Sequence, residues 1–300
     1  MVGANLPDVD GIIYFYGDNV DALAFRRGWT HGILAMAVLP VVLAAIMLAF
    51  DRFVRRRIRT KKHPTREPAR WRPLLILSAI TVLSHPLLDF LNTYGVRFLA
   101  PFSWEWFYGD ALFIIDPWVW ATLAIGVSLA SYRRRRDLPE PNRPARAALA
   151  LAGAYAVSMI LSGVVGRIAA DRSVGGSERR MVGPMWINPL RRQLILDYGE
   201  TYRYGSVEFK PWPSTEVARG EDPKGADDPL ARAAAATERG RKFLIWSRFP
   251  IFRIAREPDG GARVELLDAR YPRIHGDWPS TVIVLPGSTS GLAEPKLGLE

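Results

Sequence analysis

The chain has 300 residues, 49% of them apolar, and 40 Lys and Arg against 30 Asp and Glu give a net charge of +10. It contains no cysteine, which excludes disulfides, thiolate metal sites and a cysteine nucleophile. Much of the positive charge sits in two short blocks beside apolar runs, where it reads as a membrane-topology signal, so no nucleic-acid partner is expected.

In chain order, residues 1–11 lack both the basic n-region and the apolar h-region of a signal peptide, and Asn5-Leu6-Pro7-Asp8 reads like the end of an element. Asp8 and Asp10 follow on a turn or extended stretch, since the position before a proline is pushed away from helix. Taken singly, such acids are usually only solvated. Four apolar stretches come next: residues 33–50, 73–88, 111–132 and 147–166. A helical crossing needs about 20 residues, so the last two fit well and the first two need their flanks. The competing reading, buried helices of a large soluble α-protein, leaves too little amphipathic face in so short a region.

Ten Lys and Arg lie between residues 52 and 72 and six arginines between 133 and 146, whereas the 92–110 loop carries only Arg97. The positive-inside rule makes both basic loops cytoplasmic. By alternation the N-terminal segment, the 92–110 loop and everything after Gly166 lie outside. Trp104, Trp106, Phe107, Tyr108, Trp118 and Trp120 then form an aromatic belt at the outer end.

On this topology Asp8, Asp10, His31, His85 and Asp116 fall at one depth. His85 stands thirteen residues beyond Arg72, roughly 20 Å along the helix. His85, Asp89 and Asn92 share one helical stripe by their spacings of four and three. An imidazole and a carboxylate one turn apart can bind one divalent cation, or the acid can orient the imidazole. Ionisable groups in a span are expensive, which makes a functional role the default reading. A helix-end pair bonded to a neighbouring helix is the plainer alternative, and Asp116-Pro117 read alone is a helix start. His63, in the basic loop, and His275, in the tail, are left outside the site.

Leu6-Pro7-Asp8-Val9-Asp10, Arg27-Gly28-Trp29-Thr30-His31, His85-Pro-Leu-Leu-Asp89 with Asn92-Thr93-Tyr94-Gly95, and Ile115-Asp116-Pro117 together resemble the YdjM-type family of inner-membrane proteins. The resemblance covers about residues 5–120 well. Farther on, Pro184-Met-Trp-Ile-Asn-Pro189 and Leu267-Asp268-Ala-Arg270-Tyr271 are similar to the family's outer tail. It implies a metal-dependent hydrolase of the bacterial inner membrane. Two departures stand out. The family's apolar helix with a further Thr-His pair does not precede Leu6, so either the chain begins late or that ligand is missing. Arg26 also stands where the family has a histidine, and could instead contact an anionic substrate group.

The expected fold is an α-helical membrane domain of about four transmembrane helices (residues 1–166). A small β-rich extracytoplasmic domain (167–300) follows, with a flexible insertion or one short helix near 213–239. Strands are expected over residues 192–198, 206–210, 242–252, 262–267 and 281–285. The expected function is hydrolysis at the outer membrane surface, on a lipid or lipid-linked phosphate, by a divalent metal. Asp8, Asp10, His31, His85 and Asp89 are the candidate ligands, and Asp116 a ligand or general base. Asn92 and Arg27 would orient substrate or ligands. Mixed imidazole and carboxylate donors fit zinc, with manganese or magnesium as alternatives. The competing function is a non-catalytic transporter or scaffold. A transporter should show repeated halves or matching broken spans, and only Pro86 marks one. Membrane lipids are the expected partners, and oligomeric state is left open.

Overall fold

The computed structural model describes residues 2–55, 68–218, 220–258, 260–271 and 279–287. Most of the first basic loop, with His63, and the stretch holding His275 lie outside the described residues. A short helix, α1 (Val2–Asn5), leads into a 3-10 segment over Pro7–Phe15 that carries Asp8 and Asp10. Helix α2 (Asn19–Phe25) opens with a reciprocal cap: Asp18 accepts from the Val20 and Asp21 N–H groups, and Asp21 accepts from the Asp18 N–H.

Four long helices follow: α3 (Ile33–Phe50), α4 (Trp71–Phe90), α5 (Pro117–Arg135) and α6 (Arg143–Ser173). They pack as two pairs, α3 with α4 and α5 with α6. Gly126 permits the second pairing, because a Cβ there would stand 2.2 Å from the Ala148 Cβ, and small residues let helix backbones approach in lipid. Three stretches, Ile33–Val54, Trp71–Phe90 and Arg143–Ser173, are long and apolar enough to cross a membrane. Only 17–22% of the residues in those windows are buried within the protein, so their apolar surfaces need lipid as solvent, which argues against buried helices of a soluble core.

The third expected span fares differently. Residues 111–116 are not helical; the helix starts at Pro117, and Asp116 caps it by accepting from the Trp118 and Val119 N–H groups. The remaining 19 residues end in Arg133, Arg134 and Arg135, which shortens the apolar run. Among the described residues three such helices are found, and the expected fourth is not confirmed.

The C-terminal half holds two antiparallel sheets. β1 (Arg179–Pro184), β2 (Arg191–Asp197), β3 (Thr201–Phe209) and β4 (Pro213–Val217) form a meander, with the short β5 (Asp222–Pro223) also paired to β3. Helices α7 (Pro229–Ala236) and α8 (Glu238–Trp246) then pack on a second meander of β6 (Pro250–Arg256), β7 (Ala262–Asp268) and β8 (Ser280–Leu285). The 213–239 stretch therefore carries β4, β5 and the short helix α7, and Ala231 and Ala234 of that helix are fully buried. Residues 242–252, expected as a strand, are helical up to Trp246. The Thr237 side chain caps α8 by accepting from the Gly240 N–H, and Gly240, Phe243 and Trp246 recur at helical spacing on its buried face.

The two halves share cores around the expected boundary at 166/167. It falls inside α6, whose Ala170 packs with Val182, Leu194, Leu196 and Val207. Val20 and Leu23 of α2 and Tyr94 belong to the core of the second sheet, with Phe243, Trp246 and Leu266. A fully buried ion pair fastens this junction. Arg270 donates to Asp268 (2.8 Å), to the Thr93 carbonyl (2.7 Å) and to the Trp246 carbonyl (3.3 Å), and lies over the Trp246 ring. Burial alone would raise the Asp268 carboxyl, but the Arg270 guanidinium and the Ser247 hydroxyl hold it below the usual 3.8.

Arg270→Ala leaves that carboxylate buried and uncompensated. We expect a loss of about 3–5 kcal/mol, read as earlier thermal unfolding of the purified protein; an unchanged transition contradicts it. Because the Asp268 pKa is depressed, the pair's contribution is complete above the unfolded value of 3.8. It fades as pH falls through the lower folded value.

Candidate metal centre

Four segments bring the site together. The 3-10 segment presents Asp8 and Asp10. The turn between α2 and α3 presents Arg26, Arg27, Thr30 and His31. The last turns of α4 present His85 and Asp89, and the loop after it Asn92. Gly32 is required where α3 begins, because a Cβ there would stand 2.2 Å from the Ala100 carbonyl oxygen.

His31 is fully buried, and its Nε2 lies 3.2 Å from Asp89 Oδ2. His85 Nε2 lies 3.4 Å from the same oxygen and 3.5 Å from Asp8 Oδ2. Ligand atoms of Asp8, His31 and His85 all lie within 4.8 Å of one another. These approaches do not have hydrogen-bond geometry. His31 Nε2, His85 Nε2 and Asp89 Oδ2 are thus buried without a hydrogen-bond partner among the described residues. Three such atoms facing one another are costly unless something sits between them.

The far sides of both imidazoles are fixed. His85 Nδ1 is 2.6 Å from the Ala4 carbonyl oxygen, which can only accept, so Nδ1 carries the proton and Nε2 faces the cluster. The Thr30 hydroxyl donates to Asp10 Oδ2 (2.9 Å) and therefore accepts from His31 Nδ1 (2.9 Å). That leaves His31 Nε2 inward as well. Carbonyl and carboxylate partners behind an imidazole are the usual means of orienting a metal ligand.

Arginines balance part of the acid. Arg26 donates to Asp8 Oδ1 (2.5 Å) and Asp10 Oδ1 (3.3 Å). Arg27 donates to Asp89 Oδ1 (2.8 Å), Asn92 Oδ1 (3.2 Å) and the Gly95 carbonyl (3.2 Å), and its guanidinium lies 4.4 Å from the Tyr94 ring centre. The Arg27 backbone, at φ 57, is in the left-handed region that a side chain disfavours. It is held there because its N–H donates to Asp10 Oδ2 (2.8 Å) and its carbonyl accepts from the Arg97 N–H (3.0 Å). The neighbouring acids outweigh burial at His31 and raise its pKa above 6.5. The same negative field would draw a divalent cation.

Of the expected residues, Asp8, His31, His85 and Asp89 converge. Asp10 is drawn in behind them: Oδ1 takes Arg26, and Oδ2 takes Thr30 and the Arg27 N–H. Arg27 and Asn92 hold Asp89 and the loop. Asp116 is engaged elsewhere, capping α5 and accepting from the Tyr155 hydroxyl (3.1 Å). Sequence reasoning missed three contributors. Thr30 was read only as part of a motif. The Ala4 carbonyl has no sequence signature. Arg97, buried and donating to the Ala24 and Arg26 carbonyls, figures in the sequence only as the single basic residue of its loop, without a role at the site.

These features define a membrane protein with a buried His and Asp cluster at one end of its apolar helices. The model of the YdjM inner membrane protein family matches residues 1–166, and the chain belongs to that family. It is also similar to YfhP of Bacillus subtilis (strain 168), described as an uncharacterized protein, at 23% identity over 129 residues. That match covers 43% of this chain and 35% of YfhP, so the chain spans about a third of the relative's length. No solved structure matches.

Gly32→Ala forces a methyl against the Ala100 carbonyl. An overpacking cost of about 1–3 kcal/mol follows, measurable as a lower unfolding temperature. Wild-type stability in this variant would contradict the close approach.

Proposed function

We propose that this chain is a metal-dependent hydrolase working at the membrane surface, with one divalent cation held by His31, His85, Asp89 and Asp8. The observation that carries the reading is the inward convergence of two imidazole Nε2 atoms and one carboxylate oxygen that lack hydrogen-bond partners. The separations His31 Nε2–Asp89 Oδ2 (3.2 Å), His85 Nε2–Asp89 Oδ2 (3.4 Å) and His85 Nε2–Asp8 Oδ2 (3.5 Å) lie near the edge length of a tetrahedral shell, about 3.3–3.4 Å for ligands at 2.0–2.1 Å from zinc, and the ligand atoms of Asp8, His31 and His85 are mutually within 4.8 Å. Two nitrogens and two oxygens also suit zinc, with manganese or magnesium as the alternatives. A divalent cation there would supply Lewis acidity towards a phosphoryl or acyl oxygen and make water at the site acidic enough to attack near neutral pH.

The chain's own residues have separate tasks in this reading. Thr30 and Asp10 keep His31 Nε2 inward, and the Ala4 carbonyl does the same for His85. Arg27 fixes Asp89 through its second oxygen. Three carboxylates face two guanidiniums, Arg26 and Arg27. The cluster is therefore one charge negative with neutral imidazoles and one positive with a divalent cation. A positive site beside Arg26, whose side chain is 21% exposed, favours an anionic substrate such as a lipid phosphate. The basic loops support a site and β-domain facing away from the cytoplasm.

Metal analysis of the detergent-purified protein tests this. Wild type should carry about one equivalent of divalent metal and His85→Ala almost none. Asp10→Asn should keep a saturable site with affinity lowered roughly 10- to 100-fold, as for other partners behind a ligand. Wild type and His85→Ala equally free of metal would overturn the reading in favour of a non-catalytic membrane protein.

A further inference from the structure

The turn joining β1 to β2 (residues 185–190) and the turn joining β3 to β4 (residues 210–212) lie at the same end of the first sheet, because those four strands form an antiparallel meander. They carry Trp186, Ile187, Leu190 and Trp212, exposed by 59, 51, 52 and 80%. Single exposed apolar side chains are ordinary, but four large ones at one end of a sheet mark a contact surface. Ile187, a β-branched residue, has φ 68, which is unfavourable. Its carbonyl accepts from the Trp118 indole N–H at 2.8 Å, so the turn is tied to the first turn of α5.

The height of these turns against α6 decides what covers them. Arg192, at the start of β2 beside the first turn, donates to the Met159 carbonyl at 2.8 Å. Met159 is 14 residues before the end of α6 at Ser173, or about 21 Å below it. Beyond that level α6 still presents exposed Ile160, Leu161, Val164 and Val165 to its surroundings, and its next charge is Arg167. A bilayer that covers the apolar length of α6 therefore extends past the turns. Arg192 is fully buried at that depth and is engaged there through Nη2, which donates to the backbone carbonyls of Asp110, Ala111 and Met159, while its Nε and Nη1 have no hydrogen-bond partner among the described residues.

We propose that these two turns insert into the bilayer leaflet on the β-domain's side, with Trp186, Ile187, Leu190 and Trp212 among the acyl chains and the exposed Lys210 at the headgroups. The sheet is then a membrane-seated element and not a domain standing clear of the surface. The inference rests on α6 as a membrane span and is independent of any metal.

The absence of cysteine gives a clean test. Leu190→Cys, Trp212→Cys and Glu200→Cys are labelled with an environment-sensitive fluorophore in the full chain. Each is reconstituted in phosphatidylcholine nanodiscs with and without lipids spin-labelled on the acyl chain. Glu200 is exposed in the β2–β3 turn, at the far end of the same sheet. Labels at 190 and 212 should lose most of their emission to the spin-labelled lipid while the label at 200 keeps its own. Quenching at 190 and 212 no greater than at 200 would overturn the proposal. The two turn positions are independent, so failure of one variant to fold leaves the other to decide.

Discussion

Three carboxylates, Asp8, Asp10 and Asp89, are crowded into one cluster at the end of the apolar helices, and their mutual repulsion is the condition the surrounding structure has to meet. Arg26 and Arg27 offset two of the three charges. No third guanidinium is ion-paired to these carboxylates among the described residues, so the remaining charge can be met by a proton on an imidazole or by an added cation. The backbone is arranged around this need. Arg27 accepts a left-handed conformation so that its N–H reaches Asp10 and its guanidinium reaches Asp89. The 3-10 segment sets Asp8 and Asp10 two residues apart with both turned to the same arginine.

The second half of the chain supports that arrangement from outside. Arg270 reaches from the second sheet to the Thr93 carbonyl, next to Asn92, which accepts from Arg27. Arg248 pairs with Asp110 (3.0 Å) on the segment leading to α5. Lys242 and Arg239 of α8 pair with Asp21 of α2 and with Asp18, which caps α2. Loops at a membrane surface would otherwise be the least stable part of the molecule. Here they are clamped between helices and sheets, which suits a site whose ligand atoms must keep spacings near 3.4 Å.

Much of this was legible in the sequence where the signal was local. Uncharged runs disclosed three helices fit to cross a membrane, and the four-residue spacing of His85 and Asp89 placed both on one helix face. Strands β2, β7 and β8 were visible as β-prone runs between turn residues. What stayed hidden depended on partners distant in the chain. Asp10 and Asp8 look alike in sequence, and only the fold places Thr30 and the Arg27 N–H against one of them. Asp116 before Pro117 was legible as a helix start, but nothing local pointed to the Tyr155 hydroxyl that also engages its carboxylate. The helical start of the 242–252 stretch depended on Thr237, outside the β-prone window. The merging of α2 and Tyr94 into the β-domain core had no local sign at all.

The central claim is that His31, His85 and carboxylate oxygens enclose one cation. X-ray absorption at the metal edge of the purified, metal-loaded protein tests it most directly. The account predicts a shell of nitrogen and oxygen at about 2.0–2.1 Å with the outer scattering of two imidazoles. A spectrum without imidazole scattering would contradict it.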